Sequence, residues 1–534
     1  MFPTDFFSTR TAKLLIRGVL VASLPAFAAA QSSPVSTPGP NPESAVAQPA
    51  STDDPGQSPA DAQTTPTAPP TPTAPQGPGS TKAPLPPRTN AGVAPPPPGI
   101  PLTAGVSTTP LPYRPGDVAA ATGTQSESEK IMGYLPHWIR FDGELRDRVE
   151  GYENLNFKPF NSDLYDLYRL DLGMLIQPIS WVRFYIQTGD QRVFERSPAI
   201  PPYEDTWDIK KAFIELGDPE GSGFGLRVGR QELFFGNGRL IGNSWWSNVS
   251  RSFDAVRGSY DKNGYRLDLF IASVVIEREG VITHHNEGNN LSGAYGTLKN
   301  KVARNSQLEP YTFWHVQQGA SLKGGGLGHL DEWTFGFRFL GNLPGNLDYR
   351  TEMAVQRGTL GPASIKAWTG HWLIGDTLPV YWKPRPFIEY NYASGDPNSK
   401  NLAQIQTFDP IYPSTHDKLG LADQIGWRNI RDLRGAVDLH PAKKWALNTS
   451  FHNFNLANAH DALYPARGSV VAKDYAGVDG THIGEEFDAQ AIYKPTLQTQ
   501  IGAGVGHLIA GQFLKDTTKG QNYTYPYFLV DYVF

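Results

Sequence analysis

From residue 138 onward the chain alternates. In HWIRFDGELRDRVEG, Ile139, Phe141, Gly143, Leu145 and Val149 share one parity, and Arg140, Asp142, Glu144, Arg146, Arg148 and Glu150 share the other. Successive side chains of a strand project to opposite faces, so this segment has one apolar face and one charged face. In DLYRLDLGMLIQ, Tyr168, Leu170, Leu172, Met174 and Ile176 oppose Arg169, Asp171 and Gln177. In SWVRFYIQTGD, Val182, Phe184 and Ile186 oppose Arg183, Tyr185 and Gln187. One such strand fits a soluble sandwich as well as a barrel in lipid. A transmembrane barrel must repeat the alternation on nearly every strand. AFIEL, GLRVG, YRLDLFIAS, WTFGFRFL, LDYRTEMAVQ, PFIEYNYA, LRGAVDL and EFDAQAIY repeat it.

The connections supply a second test. Candidate strands fall near residues 136, 163, 180, 207, 223, 252, 264, 291, 307, 332, 346, 365, 384, 430, 444, 485, 497 and 522, eighteen in all. QPIS, DPEGSG, DKNG, GNLPGN, HPAK and KPTL read as tight turns rich in Gly, Pro, Asn and Asp. Between them fall longer stretches such as 192–206, 233–250, 277–290, 394–429 and 457–483. Outer-membrane barrels combine short periplasmic turns, long outer loops and an even strand number. The expected fold is all-β: a single transmembrane antiparallel β-barrel of eighteen strands, preceded by a disordered Pro-rich segment. Both termini are then periplasmic, in a Gram-negative outer membrane.

The last residues, NYTYPYFLVDYVF, fit this picture. Phe534, Tyr532, Val530 and Phe528 are expected to face lipid on the closing strand, with Val533, Asp531, Leu529 and Tyr527 turned inward. The ending resembles the C-terminal signal read by the barrel assembly machinery, so Phe534 is expected to contact that partner.

The N-terminal stretch differs in composition. Arg10, Lys13 and Arg17 precede a short apolar run and Ala28-Ala29-Ala30, the pattern of a secretory signal peptide over residues 1–30. Residues 31–130 carry over half of the 46 prolines. With little to bury, they read as a disordered periplasmic linker, a tether to the cell wall or a ligand for a periplasmic partner. All 12 tryptophans lie beyond it, in the barrel expected over residues 131–534. The chain has no cysteine, and no apolar run of the length a membrane helix needs. A net charge of −5 gives no basic surface for nucleic acid.

If parity holds, the lumen receives Arg140, Arg146, Arg148, Arg169, Arg183, Arg227, Arg257, Arg266, Arg338, Arg350, Arg385 and Arg434. Asp142, Glu144, Asp171, Glu215, Asp268, Glu352, Glu389 and Asp438 share those faces. Some of these charges hold the wall as ion pairs. The surplus of guanidinium groups suits carboxylates in transit, because the planar fork matches an oxyanion and stays charged. An anion-preferring pore is expected, in a barrel of this size wide enough for an aqueous channel.

Two stretches carry a resemblance. VGRQELFFGNGRLIGNSWWSNVSRSFDAVRGSY (228–260) and YNYASGDPNSKNLAQIQTFDPIYPSTHDKLGLADQIGWRN (390–429) resemble the alginate export family of outer-membrane porins. The resemblance implies a monomeric barrel with an arginine-lined constriction that passes an anionic polysaccharide such as alginate outward. It marks Arg230, Arg239, Arg251, Asp254 and Arg257 as pore or loop elements. The other reading of the same barrel is a porin for uptake of small anionic or aromatic solutes.

Weaker signals favour structure over chemistry. Asp396 and Asn398 have the spacing of calcium-loop ligands, but no bidentate Glu follows and an Asp-Pro turn accounts for them. His284 and His285 sit in an expected polar loop without further spaced ligands. Gly502, Gly504 and Gly506 share one parity, where they open space in the wall. For an enzyme, the rival class, His371, His452 and His507 are the candidates, but no nucleophile signature accompanies them. No catalytic residue, metal or cofactor is expected. A structural barrel that only anchors the cell wall is the third class.

Overall fold

A computed structural model describes residues 133–136, 138–196, 202–465, 468–496 and 498–534. The signal-peptide and linker readings fall on residues 1–130, outside the described residues. The strands are β1 (Ile139–Tyr152), β2 (Asp163–Ile179), β3 (Val182–Phe194), β4 (Asp205–Gly217), β5 (Gly223–Gln231), β6 (Phe253–Lys262) and β7 (Tyr265–Ile276). They continue as β8 (His284–Lys299), β9 (Ser306–Ser321), β10 (Leu327–Asn342), β11 (Leu347–Leu360), β12 (Ala363–Asp376), β13 (Arg385–Ala393) and the two-residue β14 (Gln404–Ile405). Then come β15 (Ile430–Ala442), β16 (Trp445–Leu456), the small hairpin β17 (Ala462–Leu463) and β18 (Ala472–Lys473), β19 (His482–Tyr493), β20 (Thr499–Ala510) and β21 (Tyr523–Val533). One short helix, α1 (Gln512–Thr517), precedes the last strand.

Leaving aside β14, β17 and β18, each strand pairs antiparallel with its predecessor, and β1 closes onto β21 from Glu144↔Val533 to Glu150↔Tyr527. The result is a closed barrel of eighteen strands. Closure matters because lipid offers no partner to a free strand edge. Phe534 extends the seam, its N–H donating to the Gly143 carbonyl at 3.0 Å and its carbonyl accepting from the Gly143 N–H at 3.1 Å. A Cβ on Gly143 would lie 2.4 Å from the Phe534 ring, so only glycine there lets the terminal ring cover the first strand.

The parity of the sequence becomes the two faces of the wall. Phe184, Ile186, Ile214, Leu267, Leu269, Ile271, Phe335, Phe337, Ile388, Leu433, Phe451 and Phe487 are exposed on the outside. Tyr527, Leu529 and Asp531 are buried inside, alternating with the outer Phe528, Val530 and Tyr532. Trp181, Trp382 and Trp445 mark the short-turn end of the outer surface. Toward the other end Trp314 stacks on Trp333 at 5.3 Å and Trp368 on Tyr392 at 4.3 Å. Aromatic girdles of this kind suit the two membrane interfaces.

Two expectations change. The links 322–326 and 361–362, on the long-loop side, are brief. There β14, from the segment 394–429, lies parallel to the start of β12 (Ser364↔Gln404, Ile365↔Ile405) and covers that corner of the rim in place of local loops. His284 and His285 are not in a loop but open β8, which starts earlier than the alternation suggested because HHNEGNN is polar on both faces.

Candidate functional site

The two longest connections between barrel strands that are wholly described, 232–252 and 394–429, fold into the barrel instead of standing above it. Their apolar side chains explain why: Leu233, Phe235, Leu240 and Ile241 of the first, and Phe408, Ile411, Leu419, Leu421, Ile425 and Trp427 of the second, are buried in one core with inward wall residues. Phe235 stacks on both Phe270 and Tyr295 with centroids 5.0 Å apart. Burying each such side chain contributes roughly 1.5–3 kcal/mol. Gly506 makes room, since a Cβ there would lie 2.8 Å from the Ala422 nitrogen.

Inside the barrel the two segments bond to each other. The Gly242 N–H donates to the Tyr412 carbonyl at 2.8 Å, the Tyr412 N–H to the Leu240 carbonyl at 2.9 Å, and the Ser414 N–H to the Gly238 carbonyl at 2.8 Å. Arg251 clamps the joint, its Nη1 within hydrogen-bond reach of the carbonyls of Gly242 (2.9 Å), Tyr412 (2.8 Å) and Pro413 (3.2 Å). The two stretches that carried the family resemblance are therefore a single inward structure.

The predicted inner arginines separate into two groups. Along one arc they are locked to carboxylates. Arg183 reaches Glu215 at 3.3 Å, Arg227 meets Glu215 through Nε at 2.8 Å, and Arg257 and Arg266 share Asp268 at 2.8 and 2.7 Å. Arg338 pairs with Glu309 and, at 3.5 Å, with Glu352. Arg385 holds Asp348 and Asp438 at 2.6 and 3.0 Å, and Glu389 takes Arg239 at 2.6 Å and Arg434 at 3.4 Å. Arg350 lies on the same inward parity of β11, between Asp348 and Glu352.

On β1 and β2 the arrangement differs. Arg146, Arg148 and Arg169 are buried side by side, with Glu144 3.3 Å from Arg169 and Glu150 2.7 Å from Arg148. Arg146 and Arg169 also donate to the carbonyl of Trp245, at 2.9 and 3.1 Å, so they anchor the inward segment 232–252 to the wall. Asp171 accepts from Gln191 at 2.7 Å. Arg140 lies at the rim of the short-turn end, donating to the Ile139 carbonyl at 2.8 Å.

Arg230 and Asp254 alternate with the inward Gln231 and Phe253, which places both on the outer parity of the wall. Arg230 Nε donates to Asp254 at 2.9 Å and its Nη2 to the Thr283 carbonyl at 2.9 Å, pinning the β7–β8 connection. Of the residues marked by resemblance, Arg239 and Arg251 belong to the inward structure and these two do not.

Above the joint, on the long-loop side, is a cavity of about 600 Å³. Arg148, Arg196, Arg251, His416 and Lys418 line it, with Glu150, Glu277, Asp417 and Asp423, and with Tyr152, Tyr165, Tyr203, Trp245, Trp246, Tyr523 and Tyr525. The Arg148 guanidinium lies 4.0 Å from the ring centroid of Trp246, and the His416 ring stacks parallel to the same indole at 3.7 Å. Sequence reasoning missed Trp245, Trp246 and Tyr412. The signal available was a pair of bulky aromatics in a loop, where solvent exposure would be costly.

Burial raises the Glu277 carboxyl to about 7, against the pull of Lys210 and Arg251. Its ionisation adds negative charge to the cavity as the pH rises through that value. Anion-to-cation permeability is therefore expected to fall between about pH 6 and pH 8, and Glu277→Gln to flatten that part of the profile in bilayer reversal potentials.

Other candidates take structural roles. Lys323 Nζ binds Asp396 together with the carbonyls of Asn398 (2.9 Å) and Asn401 (2.8 Å), so an ammonium fills the oxygen cluster that had the calcium spacing. His371 Nδ1 meets Asn391 at 2.9 Å, His452 Nδ1 meets Asp432 at 3.0 Å and His507 Nδ1 meets Thr524 at 2.9 Å. These contacts are cross-strand braces.

A closed eighteen-stranded barrel, apolar outside and charged within, is an outer-membrane channel of Gram-negative bacteria. The sequence model of the alginate export family matches residues 137–527, and the chain belongs to that family. No curated protein matches the chain at significance. Among solved structures, Pseudomonas aeruginosa OpdQ is similar at TM-score 0.51 and 11% identity, over 74% of this chain and 97% of that one. Acinetobacter baumannii OccAB2 is similar at TM-score 0.49 and 10% identity, over 74% and 98%. At this identity the likeness to OpdQ is one of fold.

Proposed function

We propose that this channel passes an anionic polysaccharide, an alginate-like polyuronate, outward, and that Arg146, Arg148 and Arg169 with the cavity above them form the path's electropositive segment. The observation that carries the reading is the cluster of Arg146, Arg148 and Arg169, buried side by side with Arg148 on the cavity wall. A guanidinium fork matches the carboxylate of a uronate residue. Family membership supports the same substrate class. The paired arginines, Arg183, Arg227, Arg257, Arg266, Arg338 and Arg434 with Glu352, are proposed to shape the lumen wall, and Arg140 with Glu144 and Asp171 its periplasmic end. The cavity favours one second reading, uptake of small anionic or aromatic solutes, because its volume of about 600 Å³ is that of a small-molecule site.

The test is the reversal potential of the purified barrel in a planar bilayer under a KCl gradient, with uronate oligomers or the monomer added. Anion preference with block by oligomers, and weaker block in Arg148→Gln, is the expected result. Block by the monomer alone supports uptake, and indifference to both overturns the polyuronate path.

A further inference from the structure

One cluster inside the barrel belongs neither to the arginine belt nor to the cavity. His315 on β9 stands directly across from Glu332 on β10, and Asp409 of the inward segment 394–429 approaches both. One ligand atom from each of the three lies within 4.8 Å of the others. His315 is 4% exposed and Glu332 3%. His315 Nε2 is engaged by Asn289 Oδ1 at 2.9 Å, with the Tyr412 hydroxyl at 3.4 Å. His315 Nδ1 is buried and has no hydrogen-bond partner. A buried imidazole nitrogen without a partner costs roughly 1–3 kcal/mol, so it asks for a ligand. The carboxylates are also short of compensation. Glu332 accepts from the uncharged Gln356 at 3.0 Å, and the cation on the pair is Arg428, 2.5 Å from Asp409.

We propose that His315, Glu332 and Asp409 bind one first-row divalent cation, with zinc the best fit, and that the ion fastens the inward segment 394–429 to the β9–β10 wall. One imidazole and two carboxylates form a mixed nitrogen and oxygen set. Such a set suits zinc or manganese, while calcium and magnesium prefer oxygen alone. Ligand atoms around zinc at about 2.1 Å stand about 3.4 Å apart, which a small side-chain movement achieves. Two ligands come from the wall and one from the segment, so the ion acts as a clasp. Asn289 on Nε2 supplies the outer hydrogen bond that commonly orients a ligating histidine and directs Nδ1 to the metal. Spacing arguments could not find this set, because Asp409 is far from the other two in the chain and meets them only when the segment folds inward.

The experiment is zinc titration by calorimetry of the folded full chain in detergent after EDTA treatment. Wild type is expected to bind one zinc tightly. Glu332→Gln and His315→Gln are each expected to weaken it by at least about tenfold. Heat-modifiable migration in gels checks that each variant is folded; if His315→Gln does not fold, Asp409→Asn takes its place. Failure of wild type to bind zinc, or binding unchanged in the variants, as at His284 and His285, overturns the proposal. Calcium competing equally with zinc overturns the assignment of metal class.

Discussion

Replacing Arg251 with alanine is expected to release the inward structure and raise single-channel conductance. One guanidinium lies within reach of three carbonyls, two of them on the segment 394–429 and one on 232–252. Its loss removes the charged donor that the three carbonyls share, leaving the joint its backbone bonds and the Ser244 hydroxyl on the Pro413 carbonyl. A hydrogen bond to a charged group contributes about 1.5–3 kcal/mol. A loss of about 2.8 kcal/mol increases the detached fraction about a hundredfold. Conductance histograms of Arg251→Ala should therefore show a larger open state and frequent transitions to it. Arg251→Lys, with one point charge and no fork, should lie between. A variant with wild-type current amplitude and quiet traces would show that the apolar contacts alone hold the segments.

The largest stability effect is expected at Arg385. Its side chain and those of Asp348 and Asp438 are each 2% exposed, and it bridges the two carboxylates across β11, β13 and β15. Arg385→Met leaves two buried acids with no cation between them. Breaking a buried pair by removing one partner costs about 3–5 kcal/mol. Urea unfolding in detergent, followed by tryptophan fluorescence, should show a lower midpoint at unchanged slope. Adding Asp348→Asn and Asp438→Asn to Arg385→Met should recover much of the loss, because the uncompensated charge is then gone. No recovery in the triple variant would place the cost in packing rather than charge.

These two arginines differ in how visible they were beforehand. Arg385 was legible: it stands on the inward parity of PFIEYNYA, and so do Asp348 and Asp438 on their strands. Period-two alternation fixed which side of the wall each belongs to, since one face of every strand must meet lipid. Arg251 carried no such signal, because it lies in the loop stretch 232–252, where no period applies. Arg230 and Asp254 show the converse. The family resemblance marked them, yet β-strand parity turns them to the outer side of the wall, where they hold the β7–β8 connection.

The sequence by itself determined the barrel, its eighteen strands, its seam and the charge of its two faces. Those follow from local rules: strand alternation, turn chemistry and the cost of polar groups in lipid. Only the tertiary structure decided what fills the barrel. Segments 232–252 and 394–429 are polar enough to read as outer loops, but their scattered Phe, Leu, Ile and Trp residues bury against inward glycines and aromatics on distant strands. Contacts between residues such as Arg251 and Tyr412, or His315 and Asp409, depend on where the closed wall brings those segments together, and no local pattern encodes that distance.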